Sequence, residues 1–168
     1  MDVAGMIRAG PLQPLADTDV LAPAILEASR CAVSAALCAD ACLGEPAVEK
    51  MRLCIRLNLD AADLCQATAR LLSRQTSPDL RVIRTVIEAC LLAVEGCGDE
   101  CERHAHLDHC RMCLEACRRT QEALSDLLGA LPAVPDEPAA SVGAPEVAAA
   151  PGAAAAAAGP ASSDGAAH

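Results

Sequence analysis

No phenylalanine, tyrosine or tryptophan occurs anywhere in this sequence of 168 residues. A surface that holds single-stranded nucleic acid by stacking bases on aromatic rings is therefore not expected. The formal net charge of -10 at pH 7 also argues against a surface of Lys and Arg that neutralises a phosphate backbone, so no nucleic-acid partner is expected. No apolar run of about 18 residues is free of charge, and a membrane span is not expected either. The opening "MDVAGMIRAG" has neither the basic start nor the apolar run of a signal peptide, which places the protein in the cytoplasm. Alternating strand-type patterns are missing as well.

From 132 to 168 there is neither Lys nor Arg, only four acids in a background of Ala, Pro, Gly and Ser. So little bulky side chain cannot form a core, and this stretch reads as a disordered tail. Residues 1–17, with "PLQP" near their boundary, read as a flexible N-terminus. Between them, 18–131 is long enough and apolar enough for one domain.

What that domain has in abundance is sulfur. All eleven cysteines lie inside it. In a secreted chain this density would imply a disulfide scaffold, but in a reducing cytoplasm it favours metal binding or simple burial. Cysteines four apart on a helix are poorly placed to bridge each other, and the total is odd.

Gly, Pro and capping residues cut the domain into four segments of helical length. The first starts near Asp19 or Pro23 and stops at Gly44. Pro46 opens a second that reaches about Arg74, and Ser77 caps a third that runs from Pro78 to about Ala105. Asp108 caps a fourth that Gly129 closes. Short turns between four long helices give an all-α, antiparallel four-helix bundle. Gly96 and Gly98 fall inside the third segment, where they permit close helix approach or mark a kink.

The intervals between cysteines carry the chemistry. They are 7 and 4 (Cys31, Cys38, Cys42), 11 (Cys54, Cys65), 7 and 4 (Cys90, Cys97, Cys101), and 3 and 4 (Cys110, Cys113, Cys117). Each is a sum of threes and fours, the spacing that keeps side chains on one helical stripe. The stripes should therefore meet along the bundle axis. Ala24, Ala28, Ala35, Asn58, Ala61, Val94, Thr120 and Leu124 occupy the same lattice and should also point inward, as should Met51. Asn58 is then expected to satisfy a buried hydrogen bond. His104 continues the third stripe and His109 adjoins Cys110, so both are candidate ligands or entrance groups at one end, with His106 in the turn between them.

Simple core packing would not require eleven oxidisable side chains. Pairs at i and i+4, namely Cys38 with Cys42, Cys97 with Cys101 and Cys113 with Cys117, can bring two sulfurs to one ion. That suits Cu(I), a soft ion of low coordination number, better than zinc, since a line of sulfurs offers a tetrahedron less readily. The run "CRMCLEAC" matches an iron–sulfur pattern only in part. Cu(I) is thus the expected cargo, with Cys31, Cys54, Cys65, Cys90 and Cys110 completing the ligand set across helices. Thiols in so apolar a tube are expected to be neutral when metal-free. No base, nucleophile and oxyanion group can be assembled, so an enzyme is not expected. The one Cys-x-x-Cys, Cys110 to Cys113, starts a helix rather than a strand-to-helix turn. A metal-free helical interaction module remains the alternative.

The stretches "CADACLGE", "MRLCIRLNLDAADLCQATARLLSRQT", "IEAC" and "CGDECERHAHLDHCRMCLEACRR" together resemble the bacterial four-helix-bundle copper-storage proteins. The resemblance covers roughly 20–130 and is closest to the branch without a signal peptide. It implies a cytosolic protein that holds many Cu(I) ions on cysteines inside each bundle, and a homo-oligomer, a tetramer of bundles. The chain departs from the family pattern at Ala24, Ala28, Ala35, Ala61, Val94, Thr120 and Leu124, where cysteine would stand. The resemblance therefore implies a reduced capacity, with sulfur retained toward the end that carries His104 and His109.

Overall fold

Helix α2, Thr18–Leu43, is the longest element, and its start shows how local chemistry sets each boundary. Asp17 turns its carboxylate back to accept from the Asp19 amide at 2.9 Å, so the helix begins ahead of Pro23 and runs through it. The computed structural model describes residues 1–134. The expected disordered tail from 132 lies, from 135 onward, outside the described residues.

Three further long helices follow: α3 (Arg52–Leu72), α4 (Leu80–Arg103) and α5 (Asp108–Ala130). Pro46 does not open α3, because Ala47 adopts φ -106°, ψ 44° outside the helical region and a short 3-10 turn, Val48–Met51, intervenes. Ser77 does not cap α4. It sits at φ 48°, and Asp79 takes the capping role by accepting from the Arg81 amide at 2.9 Å. Asp108 is the first residue of α5 rather than its cap. Gly129 lies inside that helix, whose last carbonyls face a cation instead: Arg84 Nη1 stands 3.5 Å from the Leu128 oxygen and 3.4 Å from the Leu131 oxygen.

Each long helix packs against two others, α2 with α3 and α5, and α4 with α3 and α5. Cys42 near the end of α2 meets Cys54 near the start of α3, and Cys38 meets Cys110 at the start of α5. The four helices thus form the antiparallel bundle. By length and composition α2 could cross a bilayer, with a mean hydropathy of 1.5 over its best window, yet it stands inside the bundle with Cys31, Ala35, Cys38 and Cys42 buried.

Residues 1–17, where a flexible segment is expected, contain a six-residue helix α1, Val3–Arg8. Val3, Ile7 and Leu15 pack on the main core, and the Leu15 amide donates to Gln75 Oε1 at 2.9 Å. Apolar residues at 3, 7 and 15 supply an anchor that composition alone does not reveal.

The core changes character along its axis. The end containing the start of α2 and the finish of α5 is filled by Leu21, Ile25, Leu72, Ile83, Ile87, Leu124 and Leu127, all buried. The other end, closed by the α2–α3 and α4–α5 turns, is filled by thiols. Gly98 lies where α4 approaches α5, since a Cβ there would stand 3.5 Å from Cys117 Cβ. Gly96 has open space around it. Gly96→Ala is expected to stabilise the metal-free protein by about 1 kcal/mol through helix propensity alone. Guanidinium unfolding followed by helicity checks it, and an unchanged or lowered midpoint would contradict the open site.

Candidate metal centre

All eleven thiols are buried, as their helical phase requires, and each faces sulfur from another helix or the Asn58 amide. At the histidine end, Cys42 Sγ is 3.8 Å from Cys54, while Cys110 Sγ is 3.9 Å from Cys38 and 4.0 Å from Cys54. Deeper in, Cys97 meets Cys113 at 3.9 Å and Cys31 meets Cys117 at 3.9 Å. Cys65 and Cys90 form the tightest contact, 3.5 Å. The closest sulfur contacts therefore run between helices, not along them.

Three groups bring their ligand atoms within 4.8 Å of one another: Cys38, Cys42, His109 and Cys110; Cys38, Cys54, Cys101 and Cys110; and Cys97, Cys101 and Cys113. The second takes one thiol from each of the four helices. Sulfur is thus not arranged as a line that disfavours a tetrahedron. Helical phase gives the face on which a thiol lies, but the level at which four stripes meet depends on interhelical register. Of the i, i+4 pairs, Cys38 with Cys42 and Cys97 with Cys101 each fall within a group, whereas Cys113 and Cys117 do not share one.

Asn58 sits among these groups and bridges them. Its amide nitrogen donates to the Cys54 carbonyl at 2.8 Å and faces Cys54 Sγ at 3.3 Å and Cys101 Sγ at 3.6 Å. Its oxygen accepts from Cys113 at 3.0 Å and from Cys97 at 3.5 Å. One side chain thereby satisfies thiols on α4 and α5 together. Met51 is buried in the turn before α3 as core.

The two candidate histidines part company. His109 Nδ1 lies 3.4 Å from Cys110, 3.5 Å from Cys38 and 3.9 Å from Cys42. Its Nε2 faces Glu45 Oε1 at 3.1 Å, and because a carboxylate only accepts, Nε2 must donate, leaving Nδ1 its lone pair in the neutral ring. Spacing puts His104 on the α4 stripe, but α4 ends at Arg103 and His104 takes φ -111°, ψ 19°. Its Nε2 turns to Glu100 Oε1 at 3.2 Å, and it joins none of the three groups. His106 is exposed in the turn.

Two carboxylates escape a reading from periodicity. Glu100 should belong to the solvated face, but its side chain is only 7% exposed, held by Arg103 at 2.6 Å and by His104. Glu45 follows Gly44 in the α2–α3 turn, which an antiparallel bundle places at the same end as the α4–α5 turn. That topology was the available signal for its pairing with His109.

Proton sharing sets the electrostatics. Hydrogen bonds from Cys113, Cys38, Cys54 and Cys97 hold the Cys101 thiol well below its ordinary value, and those donors pay with raised values in Cys38, Cys54, Cys97 and Cys113. Cys31 is drawn down to about 4, chiefly by hydrogen bonds from Cys117 and Cys65. In the closest pair, Cys90 is lowered by Cys65 while Cys65 is raised, mainly by Cys31 and then by Cys90. Burial pushes Cys110 up to about 12. Within these groups the protons are thus not held equally: Cys101, Cys31 and Cys90 are drawn down and their neighbours are drawn up.

These features agree with what the chain is similar to. Residues 17–129 match the model of the copper storage protein family. A structure of the copper storage protein Ccsp from Streptomyces lividans, loaded with 10 copper equivalents, is 45% identical at a TM-score of 0.75, covering 77% of this chain and 99% of that one. A cytosolic copper storage protein from Streptomyces lividans with five coppers is 48% identical at a TM-score of 0.66, over 68% of this chain and 96% of that one. An uncharacterized cysteine-rich protein, YhjQ, from Bacillus subtilis is 34% identical over 79 residues, which span 47% of this chain and 68% of the relative. An all-helical bundle with a sulfur-filled axis and a match across two thirds of its length places this chain in the copper storage protein family.

Proposed function

We propose that the protein stores copper as Cu(I) on the cysteines lining its axis, in the cytosol and without turnover. The observation that carries this reading is the succession of interhelical sulfur contacts, 3.5 to 4.0 Å long, at separate levels of the axis from Cys42 and Cys54 at the histidine end, through Cys97 with Cys113 and Cys31 with Cys117, to Cys65 and Cys90. A soft, low-coordinate ion needs only two or three such sulfurs and can pass to the next by ligand exchange. Cys31, Cys38, Cys42, Cys54, Cys65, Cys90, Cys97, Cys101, Cys110, Cys113 and Cys117 form the ligand set, and His109 receives the ion at the entrance. His104 acts outside that set, held to Glu100. The reported location of the Streptomyces lividans relative supports the cytosol.

Capacity is reduced by the residues that replace sulfur. Ala24, Ala28, Ala35, Ala61, Val94, Thr120 and Leu124 are all fully buried and fill axial space without offering a soft ligand. Self-association, as the tetramer that the family resemblance implies, is supported by Val33 and Leu37, which lie four apart on α2 and are 59% and 66% exposed.

Anaerobic titration of the reduced full-length chain with Cu(I) against a chromophoric chelator is expected to find several equivalents per chain. Binding of less than one equivalent would sink the storage reading. Replacing Cys65 and Cys90 together with Ala should lower the stoichiometry while helicity is kept. Because raised thiols such as Cys110 must lose protons to bind, loading should acidify a weakly buffered solution, and apparent affinity should fall as pH is lowered. A pH-independent affinity with no proton release would contradict thiolate ligation.

A further inference from the structure

The histidine end carries a ligand set that also suits a second kind of metal ion. A tetrahedral Zn(II) ion, with bonds of about 2.3 Å to sulfur and about 2.0–2.1 Å to nitrogen, sets ligand edges of about 3.8 Å between sulfurs and about 3.5 Å between sulfur and nitrogen. Cys38 and Cys110 stand 3.9 Å apart, and His109 Nδ1 stands 3.5, 3.4 and 3.9 Å from Cys38, Cys110 and Cys42. All four atoms lie within 4.8 Å of one another. We propose that Cys38, Cys42, Cys110 and His109 Nδ1 hold one Zn(II) ion in the copper-free protein, at the mouth of the sulfur tube.

A competing set exists in Cys38, Cys54, Cys101 and Cys110, which shares two thiols with the first, so one ion occupies one set or the other. Charge favours the set with histidine. Three thiolates and a neutral imidazole leave zinc with a smaller uncompensated negative charge than four thiolates do, and every member of the all-thiol set is fully buried. The outer shell favours it too. Glu45 accepts from His109 Nε2 at 3.1 Å, the carboxylate–histidine arrangement that fixes the ring of a zinc ligand and raises its basicity. The ligands come from α2 and α5, so the ion clamps those helices at the entrance. Cu(I), which prefers thiolates more strongly, then displaces the ion as it loads.

The test uses the reduced full-length chain stripped of metal and handled anaerobically. Co(II) added alone should bind at one equivalent with the intense red-region bands of a tetrahedral site and thiolate charge transfer, and Zn(II) should displace it. His109→Ala should weaken Zn(II) at least tenfold and alter the cobalt spectrum. Glu45→Gln, at a half-buried turn position that leaves the core intact, should weaken it about tenfold. Cys101→Ala should weaken Zn(II) less than either. An octahedral cobalt spectrum would overturn the proposal, and so would a zinc site lost in Cys101→Ala but unchanged in His109→Ala. The proposal stands apart from copper storage: a failed zinc titration leaves the Cu(I) stoichiometry untouched, and a failed Cu(I) titration leaves the cobalt result untouched.

Discussion

Contact of sulfur with sulfur across the bundle axis is the interaction on which the rest of this structure depends. A thiol is a weak donor and a weak acceptor, so eleven of them can be buried together only if they serve one another. That demands a narrow axis, since contacts of 3.5 to 4.0 Å leave no room for a ring between facing helices. No phenylalanine, tyrosine or tryptophan occurs in the sequence to compete for that axis. Asn58 is the one amide admitted among the sulfurs, and it is admitted because its nitrogen and oxygen both find partners there. Among the described residues no buried side-chain nitrogen or oxygen is left unpaired.

A sulfur-filled axis contributes little cohesion of its own, and the bundle places its bulky side chains elsewhere. Leu21, Leu72, Ile87, Leu124 and Leu127 are fully buried at the end remote from the histidines, and full burial of such a side chain is worth about 1.5–3 kcal/mol. Stability and chemistry are thereby separated along one axis. The residues that replace cysteine belong to this division. Leu124 joins the apolar plug, whereas Ala61 and Val94 keep the tube closed without widening it. The same division explains α1, whose Val3 and Ile7 extend the apolar core, while Leu15 beyond it is tied to the α3 terminus through Gln75.

Periodicity made the inward face legible to a high degree. All eleven cysteines, together with Ala24, Ala28, Ala35, Asn58, Ala61, Val94, Thr120 and Leu124, are buried where threes and fours place them. The same rule failed at helix ends. Continuing the α4 stripe puts His104 on the axis, but a side chain keeps its phase only while the backbone stays helical, and α4 ends one residue earlier. His109 gains its position from contact with Cys38 on another helix, and Glu45 gains its own from a turn that meets His109 across the bundle end. Register between helices is set by packing, which no single helix's spacing contains. The buried state of Glu100 is hidden for a similar reason, because its two partners, Arg103 and His104, converge on it only where the helix stops.

Proton sharing adds an order to what an entering cation would meet. The Cys101 thiol is drawn down by hydrogen bonds from Cys113, Cys38, Cys54 and Cys97, while those neighbours are drawn up, so within this cluster Cys101 is the sulfur that yields its proton most readily. A cation bound at Cys101 places positive charge beside those neighbours, which favours their deprotonation in turn. Each bound ion therefore lowers the cost of deprotonating the next sulfurs. The coupling passes through contacts of about 4 Å and is local. The contacts that keep the thiols mutually satisfied in the empty tube are thus the same ones through which a bound ion eases the deprotonation of its neighbours.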